Sequence, residues 1–120
     1  MDNQTVTDLS YLREIAMGDN EIIIETTQVF LQEMPQNLEN MQEHFANQEW
    51  EKMAKLAHRI KPNMAYMGME NAEELILKIE QQARSGNISE DLGQIILEFK
   101  GLCNKARDEL SEKLEKLESK

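Results

Sequence analysis

The sequence predicts an all-α fold: an antiparallel up-down-up-down four-helix bundle with a short extra N-terminal helix. Three observations point there. Apolar residues recur every three or four positions over four long stretches. Only five Gly and two Pro punctuate 120 residues, and no run of alternating β-branched residues reads as a strand. Long helices joined by short connections favour antiparallel neighbours. The length fits one domain, residues 1–120, with room for a core that needs no metal or disulfide.

Residues 1–7 are polar and are expected to be loose, after which Asp8 to Met17 reads as a short helix capped by Thr7 or Asp8 and stopped by Gly18. Asp19 or Asn20 caps a longer helix in which Ile23, Thr27, Phe30, Met34, Leu38, Met41 and Phe45 form the stripe, running to about Asn47. Pro35 lies inside it and is expected to kink it near Leu31, because proline donates no hydrogen bond to the carbonyl one turn back. The third helix spans about Glu49 to Met67, with Trp50 extending its stripe and Gly68 ending it.

Asn71-Ala72-Glu73-Glu74 has the form of a capping box for a fourth helix with Ala72, Leu75, Ile76, Ile79 and Ala83 inward, closed by Ser85-Gly86-Asn87. Ser89-Glu90-Asp91 opens the last helix, whose apolar face is Leu92, Ile95, Ile96, Phe99, Leu102, Cys103, Ala106 and Leu110. Residues 107–120 keep the helical period and add Glu109/Lys113 and Glu112/Lys116 pairs. This end is expected to overshoot the bundle and fray.

Composition excludes several functions. With 23 acidic against 13 basic residues the formal charge is −10, which repels nucleic acid. No stretch resembles a signal peptide or approaches the ~20 apolar residues of a membrane span. A cytoplasmic setting is expected, and the single Cys103, on an apolar face, fits a reducing compartment and an inert thiol. His44 and His58 stand in no metal-binding spacing, and no Gly-rich phosphate loop is present. His44 reads as a surface residue at the flank of its stripe.

The third helix carries the candidate chemistry. Met53, Leu56, Ala57, Ile60, Met64 and Met67 mark its buried stripe, and His58 lies about 140° from the stripe's centre, facing water. Its wheel neighbours are Ala54, Lys55, Lys61, Pro62 and Ala65, small or cationic side chains that leave an imidazole uncovered. Lys61, three residues on, sits one turn along on nearly the same face. Most exposed histidines and lysines on helices are merely solvated, so spacing alone does not decide the matter.

The run Ala57-His58-x-Ile60-Lys61, with Gly68 ten residues after the histidine, resembles the phosphoacceptor motif of histidine-containing phosphotransfer (HPt) domains. Leu75, Ile79, Glu80, Ala83, Arg84 and Gly86 match the spacing common in that family's next helix. One departure stands out: Pro62-Asn63 replaces the family's usual Gly-Ser. The resemblance implies a transient phosphoryl carrier at His58, Lys61 against the phosphoryl oxygens, and Glu80 accepting the Nδ1 proton so that Nε2 is free to attack. Arg84 is expected either to add positive charge there or to be a plain surface arginine, and the wheel neighbours Lys55, Ala54, Pro62 and Ala65 are expected to form the approach surface.

It further implies receiver domains of a hybrid sensor kinase and a response regulator as partners. No cofactor of its own is expected: the receiver brings the aspartate and a Mg²⁺ ion, and no kinase activity belongs to the chain itself. A monomer is the default expectation. Two other classes stay open on the residues alone: an adaptor that docks through the same face without phosphorylation, and a structural helical protein joined through its last helix.

Overall fold

The computed structural model describes residues 5–119, so most of the stretch expected to be loose, residues 1–4, lies outside the described residues. Five helices follow in order: α1 (Ser10–Ile15), α2 (Asn20–Ala46), α3 (Trp50–Tyr66), α4 (Glu70–Ser85) and α5 (Leu92–Glu118). The four long ones form a ring in which α2 meets α3, α3 meets α4, α4 meets α5, and α5 closes on α2. The short α1 lies against α2 and α3. This is the antiparallel bundle that the periodicity predicts, with no strand among the described residues.

One core fills the ring. Ile23, Met41, Met53, Ala57, Met67, Ile76, Ile79, Leu92, Cys103 and Leu110 are completely buried. Methionines from α2 and α3 line this core, and their unbranched thioethers suit an irregular interhelical space. Burial pushes the Cys103 thiol up to about 12, so it stays protonated and inert, as its place on the apolar face predicts.

Helix ends depart from the sequence reading in instructive ways. Asp19 caps α2 as expected, accepting from the backbone N–H groups of Glu21 and Ile22. The capping box at Asn71 does not form. Gly68, at φ +65°, closes α3 with Gly68 N–H donating to Ala65 O and Met69 N–H to Met64 O. Met69 then starts α4 directly, its carbonyl accepting from Glu73 N–H, which places Asn71 inside the first turn. At α5 the Asp91 carboxylate accepts from the Ser89 hydroxyl rather than capping the helix amides.

Both prolines are passed without a break. Pro35 and Pro62 lie within α2 and α3, and both are exposed, so the carbonyls they leave without a helical donor stand on the watered side. The α2–α3 turn uses Gln48 at φ +55°, a left-handed residue that no glycine announces.

Among the described residues, Val6 and Thr7 are tied to the last helix, where a loose segment and a fraying helix end were expected. Glu109 accepts hydrogen bonds from the Val6 and Thr7 amides and from the Thr7 hydroxyl at 2.6 Å. Lys113 donates to Thr7 O and Oγ1. Leu110 is fully buried, Leu117 packs on the core, and Gln28 of α2 reaches Glu118. Further along the same segment, Asp8 N–H donates to Met67 O at 2.9 Å, and a Cβ on Gly68 would stand 2.1 Å from Asp8 O. Only glycine lets the segment lie there. Residues 107–118 are thus a clamp rather than an overhang.

Burial raises the Glu109 carboxyl, but the Thr7 hydroxyl, the Val6 and Thr7 amides and the Lys113 charge outweigh it and hold it below the ordinary 4.5. Its contribution is therefore complete above pH ~4.5 and is lost as pH falls through the lowered value. Replacing Glu109 by Ala should cost about 1.5–3 kcal/mol at pH 7, the range for hydrogen bonds to a charged group. The difference between variant and parent in urea unfolding should shrink as the pH drops below 4; an equal gap at pH 7 and pH 3 contradicts the clamp.

Candidate functional site

The site lies where α3 and α4 pack. The α3 stripe of Met53, Leu56, Ala57, Ile60 and Met64 faces the core, and this turns His58 and Lys61 to the side where α4 passes. The inward face of α4 is Ala72, Ile76, Ile79 and Ala83, and Glu80 sits at its edge. Arg84 follows four residues later on the same face, in the order that suits an i,i+4 acid–base pair.

Glu80 is the centre of the cluster. It is only 5 % exposed, yet three donors reach its two oxygens. His58 Nδ1 lies 2.8 Å and Arg84 2.7 Å from Oε2, while the Lys61 ammonium lies 3.2 Å from Oε1. Burial by itself raises the carboxyl; the hydrogen bonds from Lys61 and His58 and the charges of Lys61 and Arg84 override it, holding Glu80 below the usual range. An ionised carboxylate has no proton to give, so Nδ1 must carry the proton of the bond. In the neutral ring this leaves the lone pair on Nε2.

The rest of the imidazole is open, the His58 side chain being 67 % exposed. Glu80 against Lys61 and Arg84 leaves one net positive charge beside it, in a molecule whose formal charge is −10. An exposed nitrogen nucleophile next to a locally positive spot is suited to an anionic electrophile. The ring emerges from an exposed helix face. The cavity of about 560 Å³ between the N-terminal segment and the start of α4 includes neither His58 nor Glu80. Such a shape fits a macromolecular partner better than an enclosed small substrate.

The four residues singled out for chemistry, His58, Lys61, Glu80 and Arg84, come together. The approach surface is only partly as expected. Pro62 and Lys55 are exposed, the latter 3.8 Å from Glu51, and Ala65 is half-buried. Ala54 is corrected: at 8 % exposure it belongs to the core, because the helices packed around α3 supply a cover that a lone helical wheel lacks. His44 is likewise no simple surface residue, since its half-buried ring bonds Glu49 at 3.0 Å.

Sequence reading passed over Leu77. It is 40 % exposed and shares the flank of α4 with Glu80 and Arg84 at i, i+3 and i+7. Its signal was available, because Leu77 falls off the apolar stripe of its own helix. Replacing Glu80 by Ala should destabilise the bundle by about 1–3 kcal/mol, since it strips a partly buried ammonium of its partner. His58→Gln should leave the melting temperature nearly unchanged, because its ring is mostly in water. Comparable thermal losses in the two variants contradict this division.

A family model, described as Hpt domain, matches residues 25–120, which takes in most of α2 and all of α3, α4 and α5. No curated protein and no solved structure matches the chain.

Proposed function

Because the chain belongs to the Hpt domain family, whose members carry out histidine phosphotransfer in phosphorelays, we propose that His58 is its phosphoryl acceptor and that it relays the group between two receiver domains in the cytoplasm. The observation that carries this reading is the imidazole itself: Nδ1 is tied at 2.8 Å to a buried carboxylate while the ring stands in water. That bond selects the tautomer whose Nε2 is the nucleophile.

The chemistry balances without a general base on the chain. Nε2 attacks the phosphorus of an aspartyl phosphate, the P–N bond forms, and the P–O bond breaks with its electron pair leaving on the aspartate. The Nδ1 proton stays on the ring against Glu80. Onward transfer reverses these steps onto a second aspartate. Lys61 offsets charge on the equatorial oxygens. The accompanying Mg²⁺ is expected on the receiver, a reading supported by Glu80, whose oxygens already face three donors. Leu77, Pro62 and Ala65 give the receiver apolar and small surface around the nucleophile, and no helix among the described residues is long and apolar enough to cross a membrane.

His58→Gln should take up no phosphoryl group from a phosphorylated receiver. An acid-labile, alkali-resistant phosphate on the parent protein, absent from the variant, is the expected result; uptake by the variant moves the site. Ala65→Trp should block exchange with the receiver while phosphoramidate still modifies His58, because bulk on this face hinders a domain but not a small donor. Exchange at the parent rate shows that the partner docks elsewhere. Pro62→Gly should keep transfer within about tenfold, roughly 1.4 kcal/mol in the barrier, if proline serves the approach as the smaller residue does. A large gain instead marks the proline as a brake.

A further inference from the structure

We propose that Glu80 is a positioning residue that holds Lys61 and Arg84 while His58 is free, hands them to the phosphoryl group when His58 is loaded, and thereby sets how long the group stays. This inference rests on His58 being the acceptor and adds a control on the same site.

The starting arrangement is crowded. His58 and Arg84 share Oε2 at 2.8 and 2.7 Å, and Lys61 takes Oε1 at 3.2 Å. A phosphoryl group on Nε2 introduces a charge of about −1.5 to −2 and three strong acceptor oxygens, a richer target for both cations than one carboxylate. Both cations reach solvent: the Arg84 side chain is 65 % exposed and that of Lys61 31 % exposed. Glu80 is not free, because its side chain is 7 % exposed and its backbone is fixed within α4.

After the handover the buried carboxylate retains one donor, the Nδ1–H of His58. An unpaired buried charge is costly, so Glu80 favours the ring that keeps this proton. The protonated ring is the better leaving group: when the N–P bond breaks, the electron pair returns to Nε2 and a neutral imidazole results. The phosphoryl group passes to a receiver aspartate or, without one, to water, whose proton goes to solvent. Glu80 thus makes the loaded state short-lived, which suits a carrier rather than a store. Among the described residues, the charged groups on the elements flanking the ring include Lys61, together with Lys55 and its partner Glu51, on α3 and Glu80 and Arg84 on α4.

The test loads the full chain with phosphoramidate and follows loss of the phosphohistidine signal by ³¹P NMR from pH 5 to 9, together with the side-chain ¹⁵N resonances of Lys61 and Arg84. Glu80→Gln should slow the loss about tenfold at pH 8 and move the pH at which loss accelerates about one unit lower, the same change on two scales. In the parent, the Lys61 and Arg84 resonances should shift on loading. Unmoved resonances overturn the handover, and an unchanged pH profile in Glu80→Gln overturns the control by Glu80. Glu80→Ala supplies the same comparison if the Gln variant does not fold. A parent that takes up no phosphoryl group on His58 overturns the acceptor reading instead, and is distinct from either result.

Discussion

A carboxylate removed from water must be matched by donors, and Glu80 is matched by three. That requirement fixes much of the site. It brings the edge of α4 to α3, draws the Lys61 ammonium inward, aligns Arg84 one turn along, and holds the imidazole by one nitrogen. Buried ion pairs are poor sources of stability, because desolvation cancels much of the attraction. Their value here is geometric, since a ring tied at Nδ1 has one tautomer and presents one nitrogen.

The scaffold serves that geometry from both ends of α3. At its C-terminal end the left-handed Gly68 lets the Asp8 carbonyl lie against the backbone, and Asp8 N–H bonds the Met67 carbonyl. The segment that makes this contact is gripped by Glu109 and Lys113 of α5. At the N-terminal end, Trp50 packs edge-on against Phe45 with ring centroids 6.0 Å apart, closing the turn from α2. Between these anchors the buried stripe sets the rotation of the helix, and with it the side on which His58 emerges.

Much of this was legible in the sequence, because each element carries its own periodicity. Helix number, order and inward faces follow from spacing, and so does the outward place of His58. What escaped depends on contacts between elements distant in the chain. Ala54 looks exposed on an isolated wheel but is buried in the assembled bundle. Glu109 and Lys113 look like an ordinary surface pair, yet both turn toward a segment about a hundred residues away. Gln48 takes a left-handed turn without a glycine to mark it, and Asn71 has the form of a cap where the Schellman closure at Gly68 leaves no room for one. Glu80 was placed near the histidine only by the family resemblance; its burial and its sharing between three donors were not legible.

Pro62 shows how a local departure can fit the global arrangement. Proline at this place takes away the donor that the His58 carbonyl would have in an unbroken helix. In a buried helix that vacancy would be costly, but Pro62 is exposed and the carbonyl on that side has water at hand. The inward face pays nothing for it: Ile60 and Met64, on either side of Pro62, stay 3 % and 2 % exposed, and α3 continues to Tyr66. The proline therefore lies wholly on the exposed side of the helix, the side from which His58 emerges. There its compact ring adds little bulk beside His58, and the packing that holds Glu80 against His58 is left to residues on the other face.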